Sequence, residues 1–334
     1  MMEVKKTMTI KNKPLHSEWW HKTVIQKLKN GESNRKVARD VFGNDSYESR
    51  IRTFLSRDDV KFMLGEEENL NKENIKILYW DLESSLLEGQ FFRLWKENIP
   101  FNRITKQTHL LSHSYSFNND KVIGSRLTPE QVKTGDDFDL VVNMIEAISK
   151  ADVMVTFNGK KFDVKLLNTR ALFWGLPPIS YPKHIDLFEQ AKRVFKFPSN
   201  SMQNVSKYLG LDGKIATCGT QLWERCANWE NYNQCNNALE EMMVYGNQDI
   251  EATRDLFNRM KGWMKNIPNI GNIVNEVSGN KTLRCIHCGH DDIFPIESKT
   301  YTATSIFDLY RCSNDTCRGV SRVTKNGNNL VGVV

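Results

Sequence analysis

The chain has 334 residues, with 46 Lys+Arg against 40 Asp+Glu for a formal charge of +6, and it is 40% hydrophobic and 26% charged. That length suits two or three units, and the ordinary globular balance argues against wholesale disorder. No apolar run reaches the roughly 20 residues of a membrane-spanning helix, which excludes an integral membrane protein, and the N-terminus MMEVKKTMTI lacks a signal-peptide core, so a cytoplasmic location (host cytoplasm for a viral chain) is expected.

Residues 17–57 read as helical. In HSEWWHKTVIQKLKN, Trp20, Val24, Ile25 and Leu28 fall near helical spacing before Asn30-Gly31 ends the run. Ser33 can cap a second helix, NRKVARDVF, which Gly43-Asn44 breaks, and a third follows around Tyr47–Ser56 with Arg50, Arg52 and Arg57. This pattern resembles a helix-turn-helix unit over 17–60, with a plain three-helix bundle as its alternative. Residues 1–60 carry 13 Lys+Arg and 8 Asp+Glu, residues 281–334 carry 7 and 5, and the span between them is left with a net charge of −1. Basic ends suit contact with a polyanion, although a merely solvated surface has the same look.

The polar stretch 58–74 reads as a linker. The next unit, 75–265, opens on the buried-strand run IKILYW, followed by HLLSHSYSF, KVIGS and a helix about Asp137–Ser149. DVMVTF then leads into a helix about Phe162–Trp174, and the last helix is expected about Ala238–Met264. Strands followed by interleaved helices indicate an α/β domain with a mixed sheet flanked by helices. The stretch 266–280, rich in Asn, Gly and Pro, reads as a second linker.

Three short motifs carry the chemistry. Asp81-Leu82-Glu83 ends the first strand, and a period of two sends both carboxylates to one face. Asp163 enters the first turn of a helix just after Asn158-Gly159. Tyr245 and Asp249 stand four residues apart, on one face of a helix. Each alone fits a solvated strand end, a helix-dipole contact or a packing pair.

Together, Asp81-Leu82-Glu83, Asn158-Gly159-Lys160-Lys161-Phe162-Asp163 and Tyr245-Gly246-Asn247-Gln248-Asp249 resemble the DnaQ-like 3′→5′ exonucleases of the DEDD type. Tyrosine in the third motif places the resemblance with the tyrosine subclass, similar to proofreading domains of family B DNA polymerases. The segment Arg93-Leu94-Trp95-Lys96-Glu97-Asn98-Ile99 also resembles one in stand-alone phage exonucleases. The resemblance implies an RNase H-like fold and two catalytic Mg²⁺ or Mn²⁺ ions held by Asp81, Glu83, Asp163 and Asp249. It also implies that Tyr245 positions a water, with Asn158 and Phe162 positioning the terminal nucleotides. Four converging carboxylates without Lys or Arg are tolerable only with cations among them, and oxygen donors select hard ions. His184 and Asp186, in KHIDLF, are read as structural.

Four of the seven cysteines fall in the last fifty residues, as Cys285-x2-Cys288 and Cys312-x4-Cys317 with 23 residues between the pairs. That is the spacing of a structural zinc ribbon over 281–325, with one Zn²⁺. The wider second pair leaves His287 or His290 open as substitute ligands. Cys218, Cys226 and Cys235 read as ordinary core or surface residues.

The expected function is removal of nucleotides from DNA 3′ ends, with a DNA single strand or 3′ end as partner and no membrane. No polymerase domain fits in the remaining length, so a proofreading role would make the chain a separate subunit beside a DNA polymerase or replication protein. The alternatives are a ribonuclease on the same fold and a non-catalytic DNA-binding regulator.

Overall fold

The computed structural model describes Val24, Lys27, Leu28 and residues 30–55, 75–93, 98–211, 219–324 and 330–333. The expectations for Trp20, Ile25, Arg57, the linker 58–74, Leu94–Glu97 and Cys218 lie outside the described residues, as does the Arg50 side chain.

Ser33 caps α1 (Asn34–Phe42), accepting the Lys36 N–H at 3.4 Å, and Gly43 ends it, as the sequence predicts. α2 (Glu48–Leu55) follows. Val37, Val41 and Phe42 of α1 and Ile51 and Phe54 of α2 are buried in the same apolar cluster as one face of the central sheet. Described basic side chains of these helices have acidic partners nearby, Arg39 in Asp45 at 3.2 Å and Arg52 in Glu48 at 2.8 Å.

The central sheet begins with β1 (Ile77–Ser84). A two-stranded arm, β2 (Glu88–Gly89) and β3 (Ile104–Lys106), precedes β4 (Leu110–Phe117), β5 (Ile123–Arg126), β6 (Val153–Thr156) and β7 (Lys183–Asp186). The order is β5-β4-β1-β6-β7; β1 is antiparallel to β4 and parallel to β6, so the sheet is mixed, as expected. β1 is apolar on both faces up to Asp81 because both are covered. Leu78 and Trp80 join the cluster that takes in α3 (Pro129–Thr134) and α4 (Phe138–Ser149). Tyr79 points the other way, edge-on to Phe257 at 5.8 Å.

Phe257 belongs to α9 (Tyr232–Met260), which Asn231 caps and which therefore starts earlier than its apolar content alone predicts. Between β6 and α9 lie α5 (Asp163–Phe173), α6 (Leu187–Val194), α7 (Met202–Tyr208) and α8 (Gly219–Ala227). α4 and α5 are joined by a buried ion pair. Asp137 accepts from Arg170 Nε and Nη2, each at 2.7 Å, and also from the Leu110 N–H and the Trp174 indole, both at 2.7 Å. Removing one partner of such a pair costs about 3–5 kcal/mol. Among the described residues no helix is long and apolar enough to cross a membrane.

The second linker is not one. Residues 270–278 form α10 (Ile270–Ser278), with Asn269 accepting the Asn272 N–H at 3.0 Å as its cap. Ile270 is buried, with Ile267, Ile273 and Val274 packed in the same cluster. The asparagine and glycine that suggested a flexible joint serve as helix caps. β8 (Ile293–Thr302), β9 (Ser305–Cys312), β10 (Val320–Val323) and β11 (Leu330–Gly332) then form an antiparallel sheet in the order β11-β10-β9-β8.

Candidate active site

Asp81 and Glu83 share a face at the end of β1, opposite Ser114 and Ser112 of β4. These small neighbours leave room for α9 to approach. A Cβ at Gly246 would lie 2.9 Å from Ser114 Oγ, and the Ser114 hydroxyl donates to Asn247 Oδ1 at 2.8 Å. This close crossing brings Asp249 to the strand: single ligand oxygens of Asp81, Glu83 and Asp249 all lie within 4.8 Å of one another.

Asp163, the first residue of α5, stands beside these three rather than in their tight group. Its carboxylate accepts the Leu82 N–H at 3.2 Å, and its charge is felt by both Asp81 and Glu83. The Tyr245 hydroxyl lies beside the Asp249 carboxylate, close enough for each to act on the other's protonation. All four carboxyls of the first, second and third motifs are thus gathered at one end of β1.

The electrostatics show what the pocket lacks. Burial, and then the charges of Asp163, Glu83 and Asp249, hold the Asp81 carboxyl well above its ordinary range. Burial, then Asp249 and Asp163, push Glu83 up to about 8. Burial raises Asp163 to about 6 against the pull of the Leu82 N–H, and Asp249 to about 6 against the pull of the Tyr245 hydroxyl. Burial and the same carboxylates push the Tyr245 phenol upward, so it stays protonated at neutral pH. Among the described residues no Lys or Arg pairs with any of the four, and Asp249 Oδ1 is buried without a hydrogen-bond partner. An all-oxygen donor set that repels itself and keeps an orphaned buried oxygen fits hard divalent cations.

The loop between β6 and α5 is anchored by Asp186, a residue whose role the sequence indicates only as structural. Its buried carboxylate accepts the N–H groups of Asn158 at 3.0 Å and Lys160 at 3.1 Å while capping α6 through Phe188 and Glu189. The Asp186-Leu-Phe-Glu189 run carries a helix-start signature; the loop contacts depend on the tertiary fold. Asn158 holds φ 67°, a left-handed conformation that asparagine tolerates better than most residues. Phe162 is 66% exposed beside Asp163. His184 meets the Thr156 hydroxyl at 2.8 Å.

The C-terminal cysteines form a separate centre. The Sγ atoms of Cys285, Cys288, Cys312 and Cys317 all lie within 4.8 Å of one another. Cys285 and Cys317 are 3.7 Å apart, and Cys288 and Cys312 are 3.6 Å apart. A tetrahedron with bonds of about 2.3 Å has S–S edges of about 3.8 Å, so the four thiols fit one Zn²⁺. The His287 N–H points at Cys285 Sγ at 3.4 Å, and an Asn314-centred turn closes the longer second pair. His287 is buried against Gly319 and His290 bonds Asp292; neither belongs to the sulfur cluster. Hydrogen bonds from Cys288 and Cys317 pull the Cys285 thiol down to about 2, and Cys317 is pushed up to about 12, first by its bond to Cys285. Cys226 and Cys235 are buried in the main core.

The RNase_H superfamily model matches residues 107–261. That span holds Asn158, Phe162, Asp163, Tyr245 and Asp249 and begins after Asp81 and Glu83. With the mixed sheet, it makes the central domain RNase H-like and supports a nuclease, and a nuclease fold implies nucleic-acid binding. Curated proteins show no match. Among solved structures, a family B DNA polymerase from the hyperthermophilic archaeon Pyrobaculum calidifontis is similar at 13% identity and a TM-score of 0.42, over 61% of this chain and 27% of that one. The chain therefore spans about a quarter of that polymerase's length.

Proposed function

We infer that the chain is a DEDD-type 3′→5′ exonuclease of the tyrosine subclass, hydrolysing phosphodiester bonds at DNA 3′ ends. The observation that carries this reading is the meeting of Asp81, Glu83 and Asp249 within 4.8 Å, with Asp163 alongside and no Lys or Arg paired with them among the described residues. In this reading Asp81, Glu83, Asp163 and Asp249 hold two Mg²⁺ or Mn²⁺ ions. Such ions, when bound, neutralise charge at phosphorus and make a bound water more acidic. The phenol of Tyr245, kept protonated by burial and by its acidic neighbours, orients the attacking water by hydrogen bonding and does not serve as the base. The Leu82 N–H aims the Asp163 carboxylate, and Asp186 fixes the loop that presents Asn158 and the exposed ring of Phe162 to the terminal nucleotides.

Three units divide the work in this reading: a helix-turn-helix-like unit over 17–60, the exonuclease over 75–265, and a zinc ribbon over 281–325 held by Cys285, Cys288, Cys312 and Cys317. A DNA polymerase or replication protein is the expected neighbour in the cell. End-labelled single-stranded DNA and RNA of one sequence, digested with Mg²⁺ or Mn²⁺, test the reading. The expected result is mononucleotide release from the DNA 3′ end, nearly abolished by Asp81→Ala. Equal cleavage by both proteins defeats it, and a strong preference for RNA makes the enzyme a ribonuclease.

A further inference from the structure

At the far end of α9 from its cap, a cleft of about 1310 Å³ lies between the central domain and the C-terminal sheet. One wall is a continuous row of four aromatic rings. Tyr208 meets Phe197 at 5.4 Å and 73°, Phe197 meets Phe195 at 5.2 Å and 32°, and Phe195 meets Trp263 at 6.4 Å and 59°. The ends of the row face solvent, with Tyr208 65% and Trp263 67% exposed. The same cleft is lined by Arg259, Lys265 and Arg311, all exposed and without an ion-pair partner among the described residues. Arg318, also lining it, is paired with Asp315 at 2.7 Å, the one acidic side chain of the lining among the described residues.

The two exposed end rings, held apart by the half-buried Phe195 and Phe197, offer faces to bases whatever their identity, and unpaired cations beside them neutralise phosphates. A plain apolar interface would need neither the unpaired cations nor the solvent-facing ring ends. The walls are also fixed in advance. A Cβ at Gly262 would overlap the Cys317 carbonyl, so the end of the long helix and the cysteine turn are in backbone contact. We propose that this cleft is a second binding site, which takes single-stranded nucleic acid on the Tyr208–Phe197–Phe195–Trp263 row.

The cleft lies away from the carboxylates. Met260, at its edge, is eleven residues beyond Asp249 on the same helix, roughly 16 Å along the axis. Phe257 packs on Tyr79, early in β1, whereas Asp81 and Glu83 lie late in that strand. A strand whose end sits at the carboxylates must therefore run several nucleotides back before it reaches the rings. That placement rests on the exonuclease reading; binding in the cleft does not.

The test is fluorescence anisotropy with the full chain in zinc-containing, magnesium-free buffer. The probes are an oligothymidylate of about 16 nucleotides and a trinucleotide. Trp263→Ala should weaken the long probe by roughly tenfold or more, and Trp263→Phe should restore most of that loss because a ring is kept. Arg311→Ala should lower the slope of log affinity against log salt by about 0.7. The trinucleotide should show neither change. Equal affinity of wild type and Trp263→Ala for the long probe, or no binding by wild type, overturns the proposal, as does an equal loss on the trinucleotide. If wild type binds as expected yet cleaves nothing when Mg²⁺ is added, the cleft stands and the exonuclease reading falls; cleavage with unchanged anisotropy gives the reverse.

Discussion

Replacing Glu83 with glutamine should stabilise the metal-free protein while removing its activity. Burial and the neighbouring carboxylates raise Glu83 from an ordinary 4.5 to about 8. The folded protein thus holds this proton more tightly than the unfolded chain. Its contribution to stability is complete below about pH 4.5 and is lost as pH rises through about 8. At about pH 7.5 the strain of ionising this one group amounts to about 4 kcal/mol. Glutamine removes the charge but leaves a buried amide to satisfy, so a net gain of about 2–3 kcal/mol is expected. The assay is thermal unfolding, with one equivalent of zinc and no magnesium, at about pH 5 and pH 7.5. The variant should unfold several degrees above wild type at the higher pH and close to it at the lower. Magnesium should raise the wild-type midpoint more than that of the variant, because it relieves repulsion that the variant no longer has. A Glu83→Gln midpoint at or below wild type at pH 7.5 would refute the account of the pocket as an electrostatically strained cation site.

Three further outcomes follow from other parts of the molecule. Asp186→Ala leaves four backbone N–H groups without their acceptor and should cost about 2–4 kcal/mol in urea unfolding, with turnover lowered through the Asn158–Phe162 loop. Gly262→Ala places a methyl group against the Cys317 carbonyl and should undock the C-terminal sheet, seen as faster proteolysis beyond residue 280 with the central domain intact. Metal analysis should find one zinc per chain, lost in Cys312→Ser and retained in Cys226→Ser, whose sulfur lies in the main core.

The parts legible in the sequence were those governed by local rules. Ser33 and Gly43 bound α1 because capping is decided within a few residues. The IKILYW run became β1 because a strand covered on both faces has to be apolar throughout. The two cysteine pairs converged, since each is closed by its own short turn. Asp81 and Glu83 end a strand and Asp163 opens a helix, positions that local signals reveal, whereas Asp249 lies inside α9 and reaches them only through the close crossing of Gly246 on Ser114. The offset of Asp163 onto the Leu82 N–H likewise depends on how α5 packs. The second linker was misread for a reason of composition. Asn269 looks like a loop residue, yet Ile267, Ile270, Ile273 and Val274 carry helical spacing that outweighs it. The Asp137–Arg170 pair joins residues 33 positions apart, and only the packed structure shows that both charges are buried.

α9 is a rod of 29 residues, roughly 43 Å long, with Asp249 near its middle and the Gly262 turn directly after its end. Geometry along such a rod is counted in whole residues. One residue inserted between Asp249 and Gly262 would swing everything beyond it by about 100° and advance it by about 1.5 Å. The glycine would then face away from the cysteine turn it must touch. Carboxylate pocket and sulfur centre are thereby gauged against each other by a single uninterrupted helix, and changes of chain length in this half of the protein have to be taken up elsewhere, in the loops.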